Sequence, residues 1–205
     1  SEEGVCFRSY RDGQKIMLSP ETSIAAQKQI GADIIIPFDE LPPYHLPLKD
    51  LAKSLERTHR WEQRSLTAHL QNPQNQAIYA VIHGGVEPEL RKKSCRFLSG
   101  LPFDGFAIGG SVGKNREEMF AMLQHCRPFL PPEKPVHLLG IGDLPSLDFC
   151  IPLGIDTFDS SYPTRAARHA LALTAGGGVK ITRNENKDKF EPIEKDCQCW
   201  TCRHY

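Results

Sequence analysis

Apolar and polar positions alternate in short blocks separated by longer amphipathic stretches. Val5-Cys6-Phe7 and Lys15-Ile16-Met17-Leu18 flank Asp12-Gly13, a tight-turn pair, and predict a hairpin. Ser19-Pro20-Glu21 then opens a helix, with Ser19 as N-cap, Pro20 at the first position, Thr22 to Ile30 following and Gly31 ending it. Asp33-Ile34-Ile35-Ile36-Pro37-Phe38 reads as a buried strand, β-branched and nearly unbroken in apolarity. It stops at Asp39-Glu40, before a proline-rich loop from Leu41 to Pro47. The same unit recurs. Helical stretches are predicted over Leu51 to Leu70, Pro88 to Leu98, Arg116 to Cys126 and Pro145 to Leu153. Strands are predicted over Ala77 to Ile82, Phe103 to Ile108, Val136 to Leu139 and Asp156 to Phe158.

At least five strand–loop–helix units of similar size predict parallel strands covered by helices. An open doubly wound sheet would carry a glycine fingerprint for phosphate after its first strand, and none is present. The expected fold class is therefore α/β, a (β/α)8 TIM barrel with an inserted hairpin. A complete barrel takes about 250 residues. This chain of 205 residues also holds a hairpin and a Cys-rich tail, so five or six barrel strands are expected and the sequence reads as an internal excerpt. The expected division is 1–183 for the partial barrel and 184–205 for the start of a metal-binding subdomain.

Composition narrows the partners. Lys plus Arg and Asp plus Glu are 25 each, so the formal net charge is zero, and a nucleic acid would have to be met by a local basic patch. No apolar run approaches the ~20 residues that cross a bilayer, and the opening Ser1-Glu2-Glu3-Gly4 is no signal peptide. A cytoplasmic, non-membrane protein is expected. Seven cysteines make an odd count for a disulfide framework. Cys6, Cys95, Cys126 and Cys150 are scattered through apolar surroundings and read as buried free thiols.

Barrel chemistry gathers at the C-terminal ends of the strands, here Asp39, His83, Gly109-Gly110, Gly140 and Asp159. Glycines let a flat ligand reach backbone N–H groups, and a carboxylate accepts from ring N–H and amino groups, a pattern suited to a purine-like base. Asp159 reads either as a cap on the following turn or as a carboxylate nucleophile. Arg165, Arg168 and His169 form a basic cluster beyond it, able to hold phosphates. Lys180, Arg183, Lys187 and Lys189 form a second basic run, and Arg91-Lys92-Lys93 reads as a solvated helix surface. Cys197, Cys199 and Cys202 offer three thiolates within six residues, suited to a four-coordinate structural zinc. His204 lies too near Cys202 to complete it easily, so the fourth ligand is expected from a His beyond residue 205.

Taken in order, several motifs resemble those of the tRNA-guanine transglycosylases, also called queuine tRNA-ribosyltransferases, of bacterial type. They are Asp33-Ile34-Ile35-Ile36-Pro37-Phe38-Asp39-Glu40, Arg57-Thr58-His59-Arg60-Trp61, His83-Gly84-Gly85, Phe103 to Gly110, Leu138-Leu139-Gly140-Ile141-Gly142, Gly154 to Asp159, Pro163-Thr164-Arg165 and the Cys cluster. The resemblance covers essentially the whole chain. It implies a β/α barrel with a zinc subdomain, one structural Zn2+ per subunit, a homodimer, and exchange of guanine-34 in the U33-G34-U35 stretch of a tRNA anticodon loop for a 7-deazaguanine, queuine or preQ1. It places Asp159 as the nucleophile and Asp39 on the N–H edge of the base. Gly110 meets the exocyclic oxygen, Gly109 and Ser111 lie beside it, and Leu139 and Gly140 line the pocket. Arg165 and Arg168 fall on tRNA.

Departures from the family pattern stand out. His83 replaces a Gln, Leu139 a Met and Ser111 a Leu, and the loop at Val112-Gly113-Lys114 is a residue short. These changes predict an altered preference at the 7-substituent, toward queuine. The family's Asp-Ser-Gly-Gly segment and its zinc His are expected outside this stretch, so the excerpt alone is expected to be inactive, and a barrel missing strands exposes a sheet edge. A non-catalytic tRNA-binding partner subunit is the alternative reading, and retention of both Asp39 and Asp159 argues against it.

Overall fold

The computed structural model describes residues 1–174, 176–189 and 191–204. The chain divides into two compact units, Ser1–Phe158 and Asp159–Tyr205.

In the first unit, β1 (Val5–Arg8) and β2 (Lys15–Leu18) form the expected antiparallel hairpin. Ser19 caps α1 (Pro20–Ile30): its side chain accepts from the Thr22 amide, and the Thr22 hydroxyl accepts from the Ser19 amide at 2.8 Å. Gly31 closes the helix at φ 77°, the left-handed region glycine favours. Then come β3 (Ile34–Ile35), α2 (Leu48–Leu70), β4 (Ala77–Ile82), α3 (Pro88–Ser99), β5 (Gly105–Ile108), α4 (Arg116–Cys126), β6 (Val136–Leu138), α5 (Leu144–Cys150) and β7 (Thr157–Phe158). The five strands are parallel and lie in chain order, β3-β4-β5-β6-β7. A doubly wound sheet reverses its order at a switch point. Here every strand adds on the same side as the last, as in the wall of an incomplete β/α barrel.

Both faces of this sheet are filled, which is why β4 reads as a continuous apolar run. Ile78, Ala80 and Ile82, with Phe106, Ile108, Val136 and Leu138, join one core with Ile24, Leu66, Leu98 and Leu123 from the helices. The alternate positions face the other way and interlock. A Cβ on Gly105 would lie 2.7 Å from the Tyr79 ring, and one on Gly109 would lie 2.8 Å from Val81 and 2.9 Å from Leu139. Two carboxylates fasten neighbouring strand starts: Asp104 accepts from the Ile78 amide (2.8 Å) and Asp156 from the Val136 amide (2.7 Å).

The strand expected over 33–38 is paired only at Ile34–Ile35. Beyond it, side chains replace the ladder. The Gln27 amide both accepts from the Ile36 N–H (2.9 Å) and donates to the Ile36 carbonyl (2.8 Å). Cys95, Cys126 and Cys150 are buried as expected, but Cys6 is exposed, because β1 is open along its length.

The second unit holds α6 (Tyr162–Arg168), an antiparallel hairpin of β8 (Leu171–Thr174) and β9 (Gly177–Lys180), and α7 (Trp200–His204). Among the described residues, no helix is long and apolar enough to cross a membrane.

Candidate active site

The loop carrying Asp39 is held from below by one face of α2. The Phe38 amide donates to Ser65 Oγ (3.0 Å), the Glu40 amide donates to Thr58 Oγ1 (3.0 Å), and Arg57 pairs with the Glu40 carboxylate at 3.0 Å. Phe38 stacks on Trp61 with ring centroids 4.9 Å apart. Positions 58, 61, 62 and 65 share a helical face, so one helix fixes the backbone on both sides of Asp39.

His83 follows β4 directly, and its ring is almost wholly buried. Its Nε2 lies 2.6 Å from Asp39 Oδ2, the shortest link between the two strand ends. Its backbone N–H donates to Ser94 Oγ (3.2 Å), and that oxygen lies 3.3 Å from His59 Nε2. Burial pulls the His59 pKa down to about 4, so its ring is neutral at pH 7. Gly110 sits against the other side of the His83 ring. It has φ 75°, and a Cβ there would lie 2.9 Å from Nδ1.

Arg91 corrects the reading of Arg91-Lys92-Lys93 as solvated. It is fully buried, and its guanidinium donates to the carbonyls of Gly85 (2.7 Å), Ile82 (2.6 Å), Gly109 (2.9 Å) and Ser111 (3.1 Å). It lies one to two turns before Cys95 and Leu98 on the same buried stripe of α3, and that phase was the available signal. Gly84 brings the strand end down onto this helix: at φ 135°, a Cβ would lie 2.7 Å from the Arg91 backbone nitrogen.

Glu62 is a second group that composition did not reveal. It is fully buried on α2, and one carboxyl oxygen accepts from the Val81 amide at 3.2 Å while the other has no partner. Burial first, and the charge of Asp39 second, push its pKa well above the ordinary carboxylate range. The native state therefore keeps a proton that the unfolded chain releases above its ordinary pKa. By linkage, stability falls as pH rises from about 4 through the raised pKa, at a limiting slope of about 1.4 kcal/mol per pH unit. Glu62→Gln, which mimics the protonated group, is expected to remove that slope. Denaturant unfolding of the full-length protein at pH 5 and pH 8 would show the wild type, but not the variant, losing stability. Parallel pH profiles would refute the buried proton.

Leu139 and Gly140 continue directly from β6, the Leu139 amide donating to the Ile108 carbonyl (3.1 Å), and Gly140 adopts φ 73°. Asp39, His83, Gly109 to Ser111 and Leu139-Gly140 thus stand at the C-terminal ends of four successive strands. Asp159 follows β7 immediately and opens the second unit. The turn after it is closed by Ser160, whose Oγ accepts from the Tyr162 amide (3.1 Å). Arg165 and Arg168 lie exposed in the last turn of α6, around the buried Ala166.

The ligating atoms of Cys197, Cys199 and Cys202 lie within 4.8 Å of one another. Thiolates around one zinc sit about 3.8 Å apart, given Zn–S bonds near 2.3 Å, so the set fits with small side-chain rotations. The Cys202 amide donates to Cys199 Sγ (3.4 Å), which holds that thiol below its ordinary range. His204 lies outside the cluster. Its Nδ1 faces the Trp200 carbonyl at 2.7 Å, and its ring stacks on Trp200.

The sequence profile of a family described as queuine tRNA-ribosyltransferase matches residues 1–205. A queuine tRNA-ribosyltransferase of Protochlamydia amoebophila is 64% identical over 205 residues, all of this chain and 53% of that protein. Proteins of the same name from Chlamydia caviae and Chlamydia trachomatis serovar L2 are 52% and 51% identical over 202 residues, 98% of this chain and 54% of each. The chain spans about half the length of these curated relatives.

Proposed function

We propose that this chain, which belongs to the queuine tRNA-ribosyltransferase family, is part of an enzyme that exchanges guanine-34 of a tRNA anticodon loop for a 7-deazaguanine. The observation that carries this is the 2.6 Å link between His83 and Asp39 beside the Gly109-Gly110 turn. It leaves one Asp39 oxygen for the N–H edge of a base, with backbone amides next to it. The Asp159 carboxylate attacks C1′ of the ribose, the bond to guanine breaks, and guanine leaves with the bonding electrons. The departing guanine takes up a proton, and the incoming base, giving up its N9 proton, attacks C1′ of the covalent intermediate from the opposite side and releases the Asp159 carboxylate. Arg165 and Arg168 hold tRNA phosphates, and the anticodon bases splay onto the site.

Cys197, Cys199 and Cys202, with a His beyond residue 205, hold one structural Zn2+ per subunit, whose work is to fix the tail. Residues 1–183 belong to the barrel and 184–205 to the zinc subdomain of a cytoplasmic homodimer. His83 and Ser111 favour queuine over preQ1: His83 commits one Asp39 oxygen, and the small Ser111 leaves room for a bulky 7-substituent.

The test is the full-length protein incubated with tRNA and labelled guanine, then chased with queuine or preQ1. Label should enter tRNA and be displaced by queuine in preference. His83→Gln is expected to shift the queuine-to-preQ1 ratio of kcat/KM toward preQ1 by about tenfold. Bound tRNA without incorporation would instead indicate a non-catalytic partner subunit.

A further inference from the structure

Arg91 is costly where it stands. A guanidinium without water is penalised, and a cation near the start of a helix opposes the helix dipole. Burial lowers its pKa only to about 10, so it stays charged at neutral pH. Among the described residues it has no carboxylate within ion-pair distance. Its bonded partners are all main-chain carbonyls, from the last residue of β4, the loop after it and the loop after β5.

A trans peptide points its C=O and the next residue's N–H in opposite directions. The Gly109 carbonyl turned onto Arg91 at 2.9 Å therefore turns the Gly110 N–H away from the guanidinium. The Ile82 and Ser111 carbonyls, held by the same fork, tie the end of β4 to the loop after β5. Gly110 at φ 75° leaves no side chain to hold that peptide itself.

We propose that Arg91 is a positioning residue for base recognition, which aims the Gly110 N–H at the exocyclic oxygen of the bound purine. This rests on the base-exchange reading above. A lysine keeps the charge but not the planar fork, and a methionine keeps neither.

The experiment compares guanine with 6-thioguanine, which retains the ring N–H and amino edge but replaces the oxygen with a poor acceptor. Inhibition constants against base exchange are measured in the full-length enzyme, with Arg91→Lys, Arg91→Met and the neighbouring Lys92→Met. The wild type and Lys92→Met are expected to prefer guanine by about tenfold or more, and both Arg91 variants to lose most of that preference. The KM for tRNA should stay within about twofold, since the phosphate contacts lie elsewhere. An unchanged guanine-to-6-thioguanine ratio in either Arg91 variant, even with lowered thermal stability, overturns the proposal. If neither variant folds, glycine-labelled wild-type protein decides: the Gly110 amide should move downfield on adding guanine and move less with 6-thioguanine, and equal shifts overturn it. A wild type that exchanges no guanine removes the base-exchange reading itself, an outcome distinct from an active enzyme indifferent to Arg91.

Discussion

Asp159→Asn in the full-length enzyme is expected to lower base exchange by about 10⁴-fold or more while leaving tRNA affinity within about threefold. A carboxamide has the size of a carboxylate but no nucleophilic oxygen, so the change removes chemistry and leaves packing. The residue immediately follows β7, the position where barrels place their reacting groups. The turn that follows is closed by Ser160, whose Oγ accepts from the Tyr162 amide. A denaturing gel of enzyme with tRNA should show a shifted, covalent band for the wild type and none for the variant. A variant retaining a tenth or more of the exchange rate would exclude Asp159 as nucleophile.

Cys202→Ser is expected to weaken metal binding by more than about 100-fold and to loosen the tail around α7. The three sulfurs come from a segment too short to bury a core of its own, so a bound metal would supply the cross-links that packing does not. Metal analysis should find about one zinc per wild-type chain and almost none in the variant. Proteolysis should then cut near residues 191–204 first. Full zinc content in the variant would mean that the ion is held elsewhere.

The barrel was legible because its signals are local. Ser19, Pro20 and Gly31 mark one helix from end to end, and the Arg116–Cys126 helix falls where the pattern put it. The strand ends followed from the same periodicity, which brought Asp39, His83 and Gly110 into one list before any coordinates. Long-range satisfaction was not legible. Nothing near Ile36 announces that Gln27 completes its bonding, so that strand was drawn too long. The hairpin of β8 and β9 was missed because Gly176-Gly177-Gly178 leaves too few side chains to alternate. Arg91 and Glu62 were hidden by their charge. Composition assigns such residues to solvent, yet each sits on the apolar stripe of its helix, and phase was the better guide.

The bond pair between Gln27 and Ile36 also bears on which genetic changes this region can absorb. A single side chain supplies the donor and the acceptor that a neighbouring strand would otherwise provide, and that takes a carboxamide on two methylenes. One base change in a glutamine codon yields Lys, Glu, Arg, Leu, Pro or His. Lys and Arg only donate, ionised Glu only accepts, Leu and Pro do neither, and His divides the roles across a rigid ring of different reach. Position 27 is therefore a place where point mutation has no nearby substitute, although it lies on a helix and not at a strand end.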